Sequence, residues 1–127
     1  HYKYDEMVLI KNINLFSYCE HHFVPFFGTV SIAYFPKNRV IGLSKINRIV
    51  QFIASKPQVQ EKLTMELGHV FMKLLNTEDI AVAIEAKHLC VASRGIGDTN
   101  SLTNTNFFSG KFRKSKVQNQ YLNSIAH

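Results

Sequence analysis

Long apolar runs are missing from this 127-residue chain. None approaches the ~20 residues a membrane-spanning helix needs, and the N-terminal HYKYDEMVLI lacks the basic, apolar, then small-residue order of a secretory signal. The chain therefore reads as soluble, intracellular and cytoplasmic, with no membrane partner. Cysteine is scarce: Cys19 and Cys90 could form one bridge, which is no framework for a small secreted domain. Proline is sparse too. Pro25, Pro36 and Pro57 are the only three, and without repeats or low-complexity segments no internal boundary is marked, so residues 1–127 read as one domain. Acidic residues are the remaining shortage, 9 Asp and Glu against 15 Lys and Arg, for a net charge of +6. That excess points to an anionic partner, whether nucleic acid, an acidic membrane surface or a phosphorylated small molecule. What is present is a core: 46% of residues are apolar, enough to bury roughly two thirds of the unfolded surface at this size and to exclude disorder.

Hydrophobic periodicity supplies the elements. Residues 7–16 are apolar and β-branched and predict a strand, and residues 28–35 alternate Val30, Ile32 and Tyr34 against Thr29, Ser31 and Ala33, the period of a half-buried strand. Pro36-Lys37-Asn38 turns the chain. Ser44 is placed to cap a helix carrying Ile46, Ile49, Val50 and Ile53 on one face, with a break before Pro57. Val59, Leu63, Leu67, Val70, Phe71 and Leu74 then mark a second amphipathic helix ending near Asn76, which Gly68 weakens only slightly. Ile80, Val82, Ile84 and Ala86 alternate as a strand that runs into His88-Leu89-Cys90. A loop at Arg94-Gly95-Ile96-Gly97-Asp98, β-formers over residues 103–112 and a final helix with Val117, Tyr121, Leu122 and Ile125 complete an α+β order of β-β-α-α-β-β-α.

Chemistry concentrates in two islands. Cys19-Glu20-His21-His22 follows the first strand, and Cys19 and His22 have a spacing at which two side chains on a turn can converge on one Zn²⁺. His88-x-Cys90 is the only other place where the two residue types coincide, and residues i and i+2 of an extended chain share a face. Taking Cys90 as third ligand gives a Cys2His set with one open position, the catalytic pattern of zinc, and no third Cys exists to close it. His21 and His88 are then free for proton transfer. His1, His69 and His127 carry no such reading.

The basic residues do not form one block. Lys45 and Arg48 lie three apart at the start of the first helix, where N–H donors and the positive dipole end favour a phosphate tail. Arg94 lies four residues after Cys90, within reach of the same cleft, whereas Lys111, Arg113, Lys114 and Lys116 read as solvated surface. Glu61, heading the long helix, is either a first-turn acid that favours the dipole or a carboxylate receiving two N–H groups of a base edge; position alone favours the first.

SYCEHHFVPFFG, VIGLSKINRIV, PQVQEKLT, HLCVASRGI and NFFSGKF together resemble GTP cyclohydrolase I, collinearly over about residues 7–113. The resemblance implies the tunnelling fold (T-fold), an antiparallel sheet backed by helices, assembled as a homodecamer of two stacked pentameric rings with sites at subunit interfaces. Carried across by position, it implies zinc ligands at Cys19, His22 and Cys90, and catalytic roles for His21, His88 and Ser44. It implies that Glu61, with Gln60 beside it, holds the guanine edge, and that Ser44, Lys45, Arg48 and Arg94 contact sugar and triphosphate. The anionic partner becomes GTP, the cofactor Zn²⁺, and the products 7,8-dihydroneopterin triphosphate and formate, at the entry to pterin and folate biosynthesis. Family members carry an N-terminal helical region with a triphosphate-binding arginine. Only His1 to Glu6 precede the first strand here, so the chain reads as a catalytic core whose cleft is completed by neighbouring chains. The rivals are another tunnelling-fold pterin or deazapurine enzyme, disfavoured by the CEHH cluster, and a basic nucleic-acid-binding module, disfavoured by scattered charges without interleaved aromatics.

Overall fold

The computed structural model describes residues 6–18, 25–88 and 101–126. Four strands, β1 (Val8–Tyr18), β2 (Pro25–Tyr34), β3 (Ile80–His88) and β4 (Thr103–Phe108), form one sheet in the order β1-β2-β3-β4, each pair antiparallel. Helices α1 (Leu43–Ala54) and α2 (Gln60–Leu75) link β2 to β3, and a 3-10 turn (Gly110–Arg113) leads into α3 (Ser115–Ile125). The α+β order expected from periodicity is the order observed. None of the described helices is long and apolar enough to cross a membrane.

The period-2 pattern of the central strands sorts side chains between two layers. Phe26, Val30, Ile32 and Tyr34 of β2, with Ile80, Val82, Ile84 and Ala86 of β3, pack under α1 and α2 against Ile46, Val50, Leu63, Leu67 and Phe71. The opposite face carries Ala33, Ala81 and Ala83, small enough to admit the rings of Phe112 and Tyr121. Tyr121 donates its hydroxyl to the Ser31 carbonyl at 2.6 Å, and burial pushes its phenol far above the ordinary value, so it stays a neutral donor. The alternation that predicts half-buried strands thus separates a large-residue face from a small-residue face, both covered.

β1 keeps its apolar residues on the α1 side only because it contains a bulge. Ile10 pairs with Ile32 but Ile13 pairs with Val30, so three steps on β1 match two on β2. Asn12 absorbs the extra residue at φ 62°, a left-handed conformation that asparagine tolerates, and its N–H donates to Ser31 Oγ at 3.2 Å. Val8 and Ile10 before the bulge, and Ile13 and Leu15 after it, therefore contribute to one core despite opposite parity.

The helix ends correct one expectation. The N-cap of α1 is Gly42, not Ser44: Gly42 is extended, and its carbonyl accepts from the N–H groups of Lys45 and Ile46 at 3.1 Å each. Ser44 sits exposed in the first turn with no side-chain capping bond at this end. α2 follows its predicted bounds closely and stops at Asn76, which adopts the left-handed conformation (φ 50°, ψ 47°) typical of helix ends. Its buried face includes Gln60, Thr64 and Gly68 besides the apolar stripe. Gly68 is there because Phe107 of β4 occupies the space a side chain would need; an added Cβ would lie 2.3 Å from Phe107 Cδ2.

Gly68→Ala is accordingly expected to destabilise the fold by up to about 2 kcal/mol, overpacking at ~1–3 kcal/mol being offset only in part by the ~1 kcal/mol that alanine gains in a helix. Chemical denaturation checks this, and an unfolding midpoint at or above that of the parent protein contradicts the packing account.

Candidate active site

One end of the sheet gathers the side chains that can do chemistry. Phe26 of β2 pairs in register with His88 of β3, and Tyr18, the last residue of β1, pairs with Pro25. The start of α2 is tied to the same end, because Gln58 donates its backbone N–H to the Tyr18 carbonyl at 2.8 Å. Two residues later α2 begins with Gln60 and Glu61. Strand alternation places His88 on the α2 side of the sheet, with Ala86 and Ile84.

Gln60 is 1% exposed, and its carboxamide is fully engaged. Nε2 donates to the Thr103 carbonyl and to Thr105 Oγ1, each at 3.0 Å, with the Ile84 carbonyl at 3.4 Å. Thr64 Oγ1 donates to the Gln60 carbonyl at 2.8 Å and lies 2.7 Å from Thr105 Oγ1. With its own hydrogen on Gln60, Thr64 must accept from Thr105, which in turn accepts from Gln60 Nε2. Oε1 is left facing His88 Nε2 at 2.5 Å. The imidazole also stacks on Phe26, centroids 4.6 Å apart and planes 11° from parallel. Burial pushes the His88 pKa below its ordinary value, while the Glu61 carboxylate opposes that shift. The imidazole thus lies at the same end of the sheet as a carboxylate able to receive N–H donors.

His88, Gln60 and Glu61 are thus brought together. Ser44, Lys45 and Arg48 are not among them. α1 enters after the Tyr34 end of β2 and returns so that the Ala54 carbonyl accepts from Ser17 Oγ at 2.7 Å, beside the end of β1. Ser44 lies ten helical residues earlier, so about 15 Å separates it along the axis from that end. The three line the outer α1–α2 groove, about 720 Å³, with Ile49, Phe52, Val70 and Leu74; Phe52 is 75% exposed. Cys19, His21, His22, Cys90 and Arg94 lie outside the described residues. Among the described residues, no three His, Cys, Asp or Glu side chains are grouped to hold a metal ion.

Three contributors escaped the sequence reading: Phe26, Thr64 and Thr105. The available signals were a polar residue four positions after Gln60 on an otherwise apolar face, and Thr103, Thr105 and Phe107 alternating on β4. Of the residues read as bland, His1 and His127 lie outside the described residues. His69 rests edge-on against Phe107 at 5.2 Å, and the exposed Lys111 ammonium lies 4.8 Å over the Phe35 ring.

A family model described as GTP cyclohydrolase I matches residues 1–126. GTP cyclohydrolase 1 of Flavobacterium johnsoniae is 52% identical over 124 residues, covering 98% of this chain and 56% of its own length. That of Mannheimia succiniciproducens is 52% identical over 124 residues (97% and 57%), and that of Erwinia tasmaniensis 50% over 126 residues (98% and 57%). The chain spans somewhat more than half the length of these curated relatives. Among solved structures, the apo archaeosine synthase QueF-Like superposes with a TM-score of 0.67 at 18% identity, covering 82% of this chain and 93% of that one. At that identity the likeness shows the fold alone, the tunnelling fold.

Glu61 is exposed in the first turn of α2 and belongs to no hydrogen-bonded network of the described residues. Glu61→Ala is expected to cost less than about 1 kcal/mol, the range of a lost helix-dipole contact. Thermal or chemical unfolding measures this; a larger loss shows that Glu61 holds the fold together rather than waiting for a ligand.

Proposed function

The chain belongs to the GTP cyclohydrolase I family, and from that membership we propose that it forms the catalytic core of a zinc-dependent hydrolase. The reaction converts GTP and water to 7,8-dihydroneopterin triphosphate and formate, the first step of pterin and folate biosynthesis, in the cytoplasm. The observation that carries this reading is the convergence of His88, Gln60 and Glu61 at the end of the sheet where β1 and β3 stop, immediately before the two cysteine-containing segments.

The donor set suits the metal. Two thiolates and one imidazole, from Cys19, Cys90 and His22, are the soft and borderline ligands zinc favours, and three protein ligands leave a position for water. When bound, zinc supplies Lewis-acid activation of water at neutral pH. The chain's own residues do the rest. Glu61 receives N–H donors of the guanine edge, fixing the purine with C8 toward the reacting centre, and Gln60 stands behind it. His88, shielded on one face by Phe26, delivers a proton to N7 as the imidazole ring of the purine opens at C8. A second hydrolysis releases C8 as formate. His21 or His88, with Ser44, assists the ribose rearrangement that precedes closure of the pterin ring.

Ser44, Lys45, Arg48 and Arg94 hold sugar and triphosphate in this reading. Because the first three line the outer α1–α2 groove and do not join the His88, Gln60 and Glu61 group, they serve the site of a neighbouring copy in this reading. The outer edges of β1 and β4 and the exposed rings of Phe16, Tyr18 and Phe27 support an assembly through the sheet, which we read as a decamer of two pentameric rings.

The assembled protein is expected to contain about one zinc per chain, to release formate from GTP and to yield a pterin that fluoresces after oxidation. Glu61→Ala keeps zinc and assembly but loses turnover. Metal analysis with the formate assay checks both; metal-free protein with full turnover, or full turnover by Cys90→Ala, contradicts the reading.

A further inference from the structure

Gln60 heads α2 beside Glu61, yet its side-chain amide is spent within the protein rather than turned to a substrate. Both hydrogens of its amide nitrogen are committed to Thr103 and Thr105, with Ile84 behind them, and its oxygen meets His88 Nε2. The orientation of the amide cannot be reversed. Turning it over would set Oε1 against the Thr103 and Ile84 carbonyl oxygens, which have nothing to donate. The Thr105 hydroxyl cannot rescue that arrangement, because its hydrogen is held by Thr64, whose own hydrogen is held by the Gln60 carbonyl. The donors and acceptors run one way round a closed loop through α2 and β4.

From this loop we infer that Gln60 is a positioning residue that fixes His88 as the tautomer protonated on Nε2, leaving Nδ1 as the only ring atom able to exchange a proton with a substrate. Phe26 stacking sets the plane of the ring, and the bond to Gln60 sets its rotation within that plane. Together they leave His88 one face, one edge and one reactive nitrogen. A neutral imidazole without such a partner divides its proton between two nitrogens and presents the wrong one part of the time. The inference rests on the GTP cyclohydrolase reading for what His88 does, but not for how Gln60 holds it.

Magic-angle-spinning 15N spectra of the histidine-labelled, assembled protein test it, with His88→Gln used to assign the ring. The neutral His88 ring is expected to show a protonated Nε2 and a bare Nδ1. In Gln60→Leu the ring signals divide between the two tautomers, and kcat for formate release falls at least ~10-fold, within the usual weight of an acid–base group, while KM for GTP stays within about two-fold. Thr105→Val removes one acceptor without changing shape, keeps the inference testable should Gln60→Leu fail to fold, and shifts spectrum and kcat in the same direction by a smaller amount. A raised KM with kcat and the His88 signals unchanged in Gln60→Leu overturns the inference, as does a Thr105→Val protein with parental spectrum and kcat. If the parent protein does not turn over GTP, the functional reading fails while the spectra still decide the role of Gln60.

Discussion

A single buried carboxamide ties together the parts of this molecule that matter for chemistry. Gln60 opens α2, donates to β4 through Thr103 and Thr105, and accepts from His88 at the end of β3. An amide buried this deeply is costly unless all its hydrogen-bonding capacity is used. No buried side-chain nitrogen or oxygen among the described residues lacks a partner. Moving α2 along the sheet, or slipping β4 by one residue, would orphan several polar groups at once. The helix start, the register of the last strand and the aim of the histidine are therefore set by the same bonds.

The two faces of the sheet divide the remaining work. Large side chains of β2 and β3 support α1 and α2, which carry the residues assigned to substrate, while alanines on the other face accept α3. The second face contributes stability and leaves the site end alone. The antiparallel return of α1 has a further consequence. Its first two turns, with Ser44, Lys45 and Arg48, line the outer α1–α2 groove and do not join the His88, Gln60 and Glu61 group. In the proposed ring of copies the two groups belong to one shared site, and the absence of an acidic residue from the first turn of α1 suits its assigned phosphate-binding role.

The order of elements was legible because the apolar periods change cleanly from 2 to about 3.6 and back, as between Tyr34 and Ile46 and between Leu75 and Ile80. The cap of α1 was not, because Ser44 has capping chemistry but the backbone of Gly42 already receives the first helical N–H groups. Nor was the bulge at Asn12, whose only local trace is an asparagine in an apolar strand. In the site, His88 could be singled out by residue type, and Gln60 and Glu61 only by resemblance. Thr64, Thr105 and Phe26 could not, since Thr64 meets Thr105 41 residues away in sequence and Phe26 meets His88 only through the pairing of β2 with β3. Local patterns carry the fold, whereas long-range hydrogen bonds carry the geometry of the site.

The central claim is that each working site joins the His88–Glu61 end of one chain to the Ser44, Lys45 and Arg48 groove of another. Subunit mixing tests it most directly. Glu61→Ala and Arg48→Ala proteins, each inactive alone, are dissociated, combined in equal amounts and reassembled, and formate release from GTP is measured. Sites shared between chains recover about a quarter of the parental activity, the fraction that receives both native halves. No recovery from properly reassembled protein means that both residues serve the site of their own chain, and contradicts the account.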